Sequence, residues 1–344
     1  MLKRQAINLS KALGKKNSIY SLIFNRMANC HKLFLEFDQN LNITKTKKDK
    51  LKISKDNLRD RIRSYFKDNH SNYTPQFYIQ GSRKMGTTIR TKDDTCDLDD
   101  GVYFISNPDN VTGKTLQSWV KNAVDGTTNA TPSHKKKCIT VDYSAGYNID
   151  LPILIYDKDE DDHPLLAIKG EDFGDDDPKE FVDHFFDTKK LSHKGAQLVR
   201  IIKYLKAWCD YKRNKMPSGL AMTVLAMDHM MKNERDDIAF KFVLVEIETA
   251  LKSNFKCVMP TTPKDDLFLD YDDTRERNFM NNLADFIKDA KSAIDEKNEA
   301  KACKLWRKHL GDKYFPEGED KDEETTNSSS LAGIIGGAIP YYNL

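Results

Sequence analysis

Sheet-forming residues are confined to one part of this chain. Between Gln76 and Tyr156, four short runs are rich in β-branched and aromatic side chains and separated by turn residues: Gln76–Gln80, Leu98–Ile105, Cys138–Tyr143 and Tyr147–Tyr156. Helical periodicity brackets them. Ile19, Ile23, Met27, Cys30, Phe34 and Phe37 recur at steps of three or four over Ser18–Phe37, and a second helix is predicted over Ser54–Phe66. Beyond the sheet the chain reads as helical, notably Gly195–Tyr211, Leu220–Met231, Arg275–Ile294 and Glu299–Leu310, while Ile238–Ile247 fits either period. The lysine-rich stretch Thr44–Lys52 reads as an exposed connection, Asp157–His163 and Glu171–Asp177 as acidic loops, and Glu317–Ser330 as a polar, acidic linker. The order helix, sheet, helices predicts an α+β lobe followed by a helical lobe, and a chain of 344 residues exceeds what a single core comfortably holds. The expected units are 1–190, 191–316 and a linker with C-terminal tail over 317–344.

Composition narrows the function. With 55 basic against 53 acidic residues, the surface is charged but balanced, which argues against stable capture of long DNA and favours a small anionic substrate. Six scattered cysteines form no CxxC pair, so neither a disulfide framework nor a zinc ribbon is indicated, and the thiols read as reduced in a cytoplasmic protein. No apolar run reaches the roughly 20 residues of a membrane span. His184 and His193 read as surface or capping residues, and the apolar C-terminal segment Leu331–Leu344 as one that docks on the body.

The chemistry-bearing residues cluster in the sheet block. Gln80, Gly81 and Ser82 follow the first strand and begin a short helical turn, where free N–H groups can approach a phosphate; a tight turn with a capping serine explains them equally well when taken alone. Asp97 and Asp99 flank Leu98, so strand periodicity sends both carboxylates to one face, where hard oxygen ligands suit Mg²⁺. A solvated acidic turn is the plain alternative, since Asp93, Asp94 and Asp100 are close by. Asp150 lies opposite the stripe Ile149, Leu151, Ile153 and Ile155; if its strand lies beside that of Asp97 and Asp99, three carboxylates meet and can hold two metal ions. In that arrangement Asp97 and Asp99 ligate both ions. Asp150 ligates the ion at the attacking hydroxyl and takes or relays its proton.

A Gly-Ser turn, Asp-x-Asp on one strand and a lone Asp on a later strand resemble the nucleotidyltransferase superfamily of DNA polymerase β, poly(A) polymerases and oligoadenylate synthases. The fuller segments QGSRKMGTT, CDLDDGVYF, YNIDLPILIY, GAQLVRIIKYLKAWCDYKRNKMPSGLAMTVL and KACKLWRKHLGDKYFP resemble the bacterial cGAS/DncV-like nucleotidyltransferases of anti-phage signalling. This resemblance runs from about Asn17 to Pro316. It implies a polymerase-β-like catalytic lobe, a helical lobe like the oligoadenylate-synthase C-terminal region, and a cleft between them. It further implies that Gln80, Gly81 and Ser82 line the donor triphosphate and that Asp97, Asp99 and Asp150 bind metal. It adds a lysine and a serine on the triphosphate, matched by Lys203 and Ser218, with Lys206 competing for the lysine role. Where vertebrate relatives carry a base-stacking aromatic after that serine, this chain has Gly219.

The expected activity is synthesis of a cyclic di- or trinucleotide from nucleoside triphosphates, ATP or GTP foremost, with release of pyrophosphate, two Mg²⁺ ions (or Mn²⁺) and a separate effector protein that senses the product. Ring closure rests on the resemblance. A template-independent terminal transferase or linear oligonucleotide synthase uses the same chemistry. An inactive nucleotide-binding regulator is the alternative from another class, and the presence of all three acids speaks against it.

Overall fold

The computed structural model describes residues 27–156, 163–192 and 195–320. The first part of the expected Ser18–Phe37 helix, the loop 157–162, His193 and the tail beyond residue 320 lie outside the described residues.

The chain enters through helix α1 (His31–Asn40) and the long helix α2 (Lys45–Asn69). Thr44 caps α2, accepting the Lys47 amide at 3.3 Å, so the lysine-rich stretch expected as a connection is the first turn of a helix. Lys47 is buried rather than solvated. Its ammonium holds the backbone carbonyl of Asp94, and its 3.2 Å contact to the Asp94 carboxylate is shared with Arg90 at 2.8 Å. The loop that delivers Asp97 is thereby tied to the helix behind it.

The sheet follows: β1 (Gln76–Ile79), the short helix α3 (Gly81–Met85), β2 (Cys96–Phe104), α4 (Gly113–Val124), β3 (Ser133–His134), β4 (Ile139–Tyr143), β5 (Tyr147–Leu151), β6 (Ile153–Ile155), β7 (Leu165–Ile168) and β8 (Asp172–Asp175). The strand order is β3-β4-β5-β2-β6-β7-β8, with β1 also on β2. The run Tyr147–Tyr156 forms two strands instead of one. Pro152 has no N–H to continue a ladder, and its carbonyl accepts the Val102 amide at 2.8 Å. On one side of it β5 runs parallel to Cys96–Asp99; on the other, β6 runs parallel to Val102–Phe104. Residues Glu171–Asp177, expected as an acidic loop, contain β8. Its composition disfavours a strand, and pairing with β7 around the left-handed residues Gly170 and Asp172 forms it nonetheless. Helix α4, capped by Thr112, has no counterpart among the elements predicted from the sequence pattern.

The remaining elements are helical: α5 (Pro178–Leu191), α6 (Gly195–Lys212), α7 (Gly219–Asp228), α8 (Asp236–Ser253), α9 (Asp273–Asp295) and α10 (Glu299–Leu310). The ambiguous run Ile238–Ile247 lies inside α8.

Two apolar cores result. The first joins Leu58, Ile62 and Phe66 of α2 and Leu116 and Val120 of α4 to Leu98, Val102, Ile149 and Leu151 of the sheet. The second is helical, built around Trp208, Phe240, Phe286 and Trp306. Phe34 and Phe37 of α1 and Phe181 and Phe185 of α5 pack in this second core. Both helices precede residue 190 and yet are held by the helical side. Helix α2 is therefore the N-terminal element that braces the sheet.

One ionic group sits within the first core. Asp100 is fully buried, and Arg59 of α2 grips both its oxygens, with Nε to Oδ2 at 2.7 Å. Breaking such a pair strands a buried charge, whereas replacing both partners with apolar residues removes the desolvation cost. Arg59→Met is thus expected to lower stability by about 3 kcal/mol, and adding Asp100→Leu to recover most of it. Urea unfolding of the two variants checks this.

Candidate active site

The site is assembled by strand register. Asp97 pairs with Asn148 and Asp99 pairs directly with Asp150 across the parallel β2–β5 ladder, so the three carboxylates share one face of neighbouring strands. The opposite face of these strands, carrying Leu98, Ile149 and Leu151, is sealed in the core. Neither strand can slip by one residue without burying its aspartates and exposing that apolar stripe.

Each carboxylate has defined neighbours. The Asn148 amide, with its nitrogen toward β2, donates to Asp97 Oδ1 and to the Cys96 carbonyl. Asp150 Oδ1 accepts from the Thr140 hydroxyl, and Lys135 Nζ lies 3.4 Å away. Asp99 is the deepest of the three. Desolvation, then the charges of Asp150 and Asp97, push it up to about 6, and Asp97 is raised by burial and by Asp150.

Gly81 explains the close approach of the turn. Its φ is +57°, and a Cβ there would collide with the Asp99 carboxylate. Ser82 Oγ exchanges a 3.0 Å hydrogen bond with Thr88 Oγ1. Gln80 is buried: its backbone N–H donates to the Asp99 carbonyl at 3.1 Å, and its side-chain oxygen accepts from Tyr103 OH at 3.0 Å. Its amide is thus spent on the sheet, and what Gln80 brings to the cleft edge is position.

The structure separates the two lysines of α6. Lys203 points away from the carboxylates, into a contact with α1 and the turn that follows it: Nζ lies 2.5 Å from Asp38 Oδ1 and 3.2 Å from Asn42 Oδ1. The expectation that Lys203 reaches a triphosphate does not fit this placement. One turn further along the helix, Lys206 enters the cleft, within 3.4 Å of the Thr87 carbonyl and hydroxyl. Burial pulls its ammonium down to about 8 against the attraction of Asp99 and Asp97. Ser218 caps α7, accepting the Ala221 amide at 3.2 Å, and so places the start of α7 at the cleft rim next to Gly219.

Two cavities meet here. One, of about 370 Å³, takes in Gly81, Ser82, all three aspartates and Lys206; the other, of about 310 Å³, shares Ser82, Asp97, Lys206 and Gly219 and reaches Arg213. Leu220, Thr223 and Met259 of the helical side complete the first, so the cleft lies between the two cores. Sequence reasoning passed over Lys135 and Asp176. The signal available for Lys135 was the triplet Lys135-Lys136-Lys137 just before a strand.

The donor set fits divalent metal. Hard oxygens of three acids converge with their charges unbalanced, an arrangement that costs stability unless a cation shares it. The three carboxylates face one cavity without closing into a tight cluster. Among the described residues, a group of three ligand atoms all within 4.8 Å of one another occurs only at His163, Asp177 and Glu180. There Asp177 is occupied capping α5 and Glu180 accepts the Thr262 amide at 2.9 Å.

Fold and site together define a nucleotidyltransferase: a polymerase-β-like mixed sheet bearing an Asp-x-Asp plus Asp triad, facing a helical lobe. Residues 75–154 match the family model "Cyclic GMP-AMP synthase DncV-like, nucleotidyltransferase domain". Through this domain the chain belongs to the bacterial cGAS/DncV-like nucleotidyltransferases. A cyclic GMP-AMP synthase of Escherichia albertii is 29% identical over 192 residues, spanning 52% of this chain and 42% of that relative. The fold matches the crystal structure of Vibrio cholerae DncV cyclic AMP-GMP synthase with a TM-score of 0.72 at 18% identity, covering 84% of this chain and 98% of that one. The same Vibrio enzyme in complex with a linear intermediate, 5′ pppA(3′,5′)pG, matches with a TM-score of 0.73 at 18% identity, over 85% and 97% of the two chains.

The raised Asp99 fixes a sign. A carboxyl bound more tightly to its proton in the folded state destabilises the fold once ionised. The penalty is absent below the unfolded carboxyl's range near 4, grows as pH rises toward about 6 and is complete above it. In metal-free protein, Asp99→Asn should therefore raise stability at pH 7.5 by on the order of 2–3 kcal/mol, and the gain should vanish near pH 4. Urea titrations in chelator at the two pH values measure this. Gly81→Ala should do the reverse, losing at least about 1 kcal/mol to backbone strain and displacing Asp99.

Proposed function

We propose that this protein condenses nucleoside triphosphates, ATP or GTP foremost, into a cyclic di- or trinucleotide with release of pyrophosphate. It does so with Mg²⁺ in the cytoplasm, as a source of signal for a separate nucleotide-sensing effector in anti-phage defence. The observation that carries the reading is the Asp99–Asp150 register, with Asp97 beside it and Gly81 and Lys206 bordering the same cavity. The domain match and the relatives' nucleotide-cyclising activities support the substrate class. The Vibrio enzyme's complex with a linear intermediate supports a two-step route.

In this reading Asp97, Asp99 and Asp150 hold the divalent ions, which when bound offset triphosphate charge and acidify the attacking hydroxyl. The protein's own groups do the rest. Gly81 and Ser82 let the donor triphosphate approach the backbone, and Lys206, already desolvated, supplies a cation without further loss of water. The hydroxyl oxygen of the acceptor attacks the donor's α-phosphorus, pyrophosphate departs, and Asp150, held by Thr140 and Lys135, receives the proton. Lys203 serves the fold by tying α6 to α1, and Ser218 presents the start of α7 at the rim.

Incubation with Mg²⁺ and all four ribonucleoside triphosphates, followed by mass spectrometry, tests the proposal beside an Asp97→Asn/Asp99→Asn double variant. A cyclic product from the wild type alone is expected. A linear or RNA-attached product would replace the proposal by terminal transfer, and no product under varied metal and pH would favour a nucleotide-binding regulator. Lys206→Ala should lower kcat/KM by at least about ten-fold, the worth of one charge-assisted contact. Lys203→Ala should lower the melting temperature and leave the KM for triphosphates nearly unchanged.

A further inference from the structure

The hairpin between β3 and β4 carries three consecutive lysines, and each is paired with an acid on another element. Lys135 Nζ is 3.4 Å from Asp150 Oδ1, Lys136 Nζ 2.6 Å from Glu171 Oε1 and Lys137 Nζ 3.6 Å from Asp176 Oδ2. Asp150 and Asp176 both line the cleft cavity; Glu171 does not. The hairpin backbone is fixed independently of these pairs. Lys135 N–H donates to the Cys138 carbonyl at 3.0 Å, and the Lys136 carbonyl accepts the Lys169 amide at 2.8 Å and the Gln117 side chain at 3.3 Å. A rigid turn therefore hangs two ammonium groups over the active site.

These pairs are built to exchange. The Lys135 and Lys137 side chains are 50% and 52% exposed, while Asp150 and Asp176 are 20% and 24% exposed. A pair with one half-solvated, flexible partner contributes little, so its cation can leave for a stronger anion at small cost. The direction of exchange follows from the fold. Lys206 and the Gly81 turn occupy the α3 and α6 side of the carboxylates, where the donor triphosphate is placed. The hairpin approaches from the β4–β5 side, next to Asp150, the acid assigned to the attacking hydroxyl. A cation there faces the nucleotide that owns that hydroxyl.

We propose that Lys135 and Lys137 form a clamp for the 5′-triphosphate of the acceptor nucleotide, leaving Asp150 and Asp176 as that substrate enters. The inference rests on the nucleotidyltransferase reading and deepens it by naming a second phosphate subsite. It accounts for how one cleft holds two highly charged substrates: the donor on Lys206, the acceptor on the hairpin. It also frees Asp150 of its lysine partner at the moment a proton acceptor is needed.

The test separates donor from acceptor. A 2′,3′-dideoxynucleoside triphosphate can donate but offers no hydroxyl, so each of the four is supplied with each ribonucleoside as acceptor, either as its 5′-triphosphate or unphosphorylated. Linear dinucleotide is then measured. The wild type is expected to prefer the triphosphorylated acceptor. The Lys135→Ala/Lys137→Ala variant should lose that preference by roughly ten-fold or more in kcat/KM, as expected for charge-assisted contacts, and arginine at both positions should restore most of it. Lys136→Ala, whose partner lies outside the cleft, should keep it. Equal loss with both acceptor forms would overturn the clamp and assign the lysines to the carboxylates or the fold. A wild type indifferent to the acceptor's phosphates would overturn it as well. No dinucleotide from the wild type with any pair would instead remove the transferase reading, and the clamp with it.

Discussion

The parallel pairing of β2 with β5 is the interaction on which the site depends. Asp99 and Asp150 are about fifty residues apart in sequence and face one another because Cys96–Asp99 and Tyr147–Asp150 share one register. That register is enforced from behind, where Leu98, Ile149 and Leu151 are buried against α2 and α4. The apolar energy of one face holds in place the repelling charges of the other. Like charges this close do not stabilise a sheet, and the raised Asp99 and Asp97 carboxyls record the cost.

The surroundings repeat this division of labour. Lys47 and Arg90 hold Asp94, three residues before Asp97, while Arg59 holds Asp100, one residue after Asp99. The acidic strand is thus pinned by cations at both ends and on faces that a substrate does not reach. Pro152 then ends the β5 ladder immediately after the site and lets the chain resume as β6 against the second half of β2. One long strand therefore serves two purposes, with its first half bearing the chemistry and its second half anchoring the sheet through β1 and β6.

Much of this was legible in the sequence because two-residue periodicity is a local property. The Asp97-Leu98-Asp99 alternation and the stripe opposite Asp150 can be read without knowing the fold. What could not be read is long-range. Lys203 and Lys206 differ by one helical turn, and only the position of α1, which supplies Asp38 to the first, decides which lysine is left for the cleft. The β8 strand has no propensity of its own and exists by pairing with β7. The lysines of Thr44–Lys52 look solvated by composition, yet Lys47 is buried because the left-handed Asp94 turn brings a carbonyl to it. Helix α1 precedes the sheet in sequence, but its aromatic face matches the helical core, and that complementarity is invisible until both are packed.

The two-core arrangement bears on how the cleft can work. Its sheet wall is rigid, since the carboxylates sit on the central strands of a ladder, whereas its opposite wall is the rim of α7 and residues such as Leu220 and Met259 on the helical side. Helices α1 and α5 are early in sequence yet packed with the helical core, so the chain crosses between the cores more than once, and the two walls cannot drift apart as independent domains. A cleft stitched in this way admits substrates by rearranging side chains before it moves lobes. The half-exposed lysine pairs and the desolvated Lys206 are the groups whose charge is available for that rearrangement, and they stand on opposite sides of the same three aspartates.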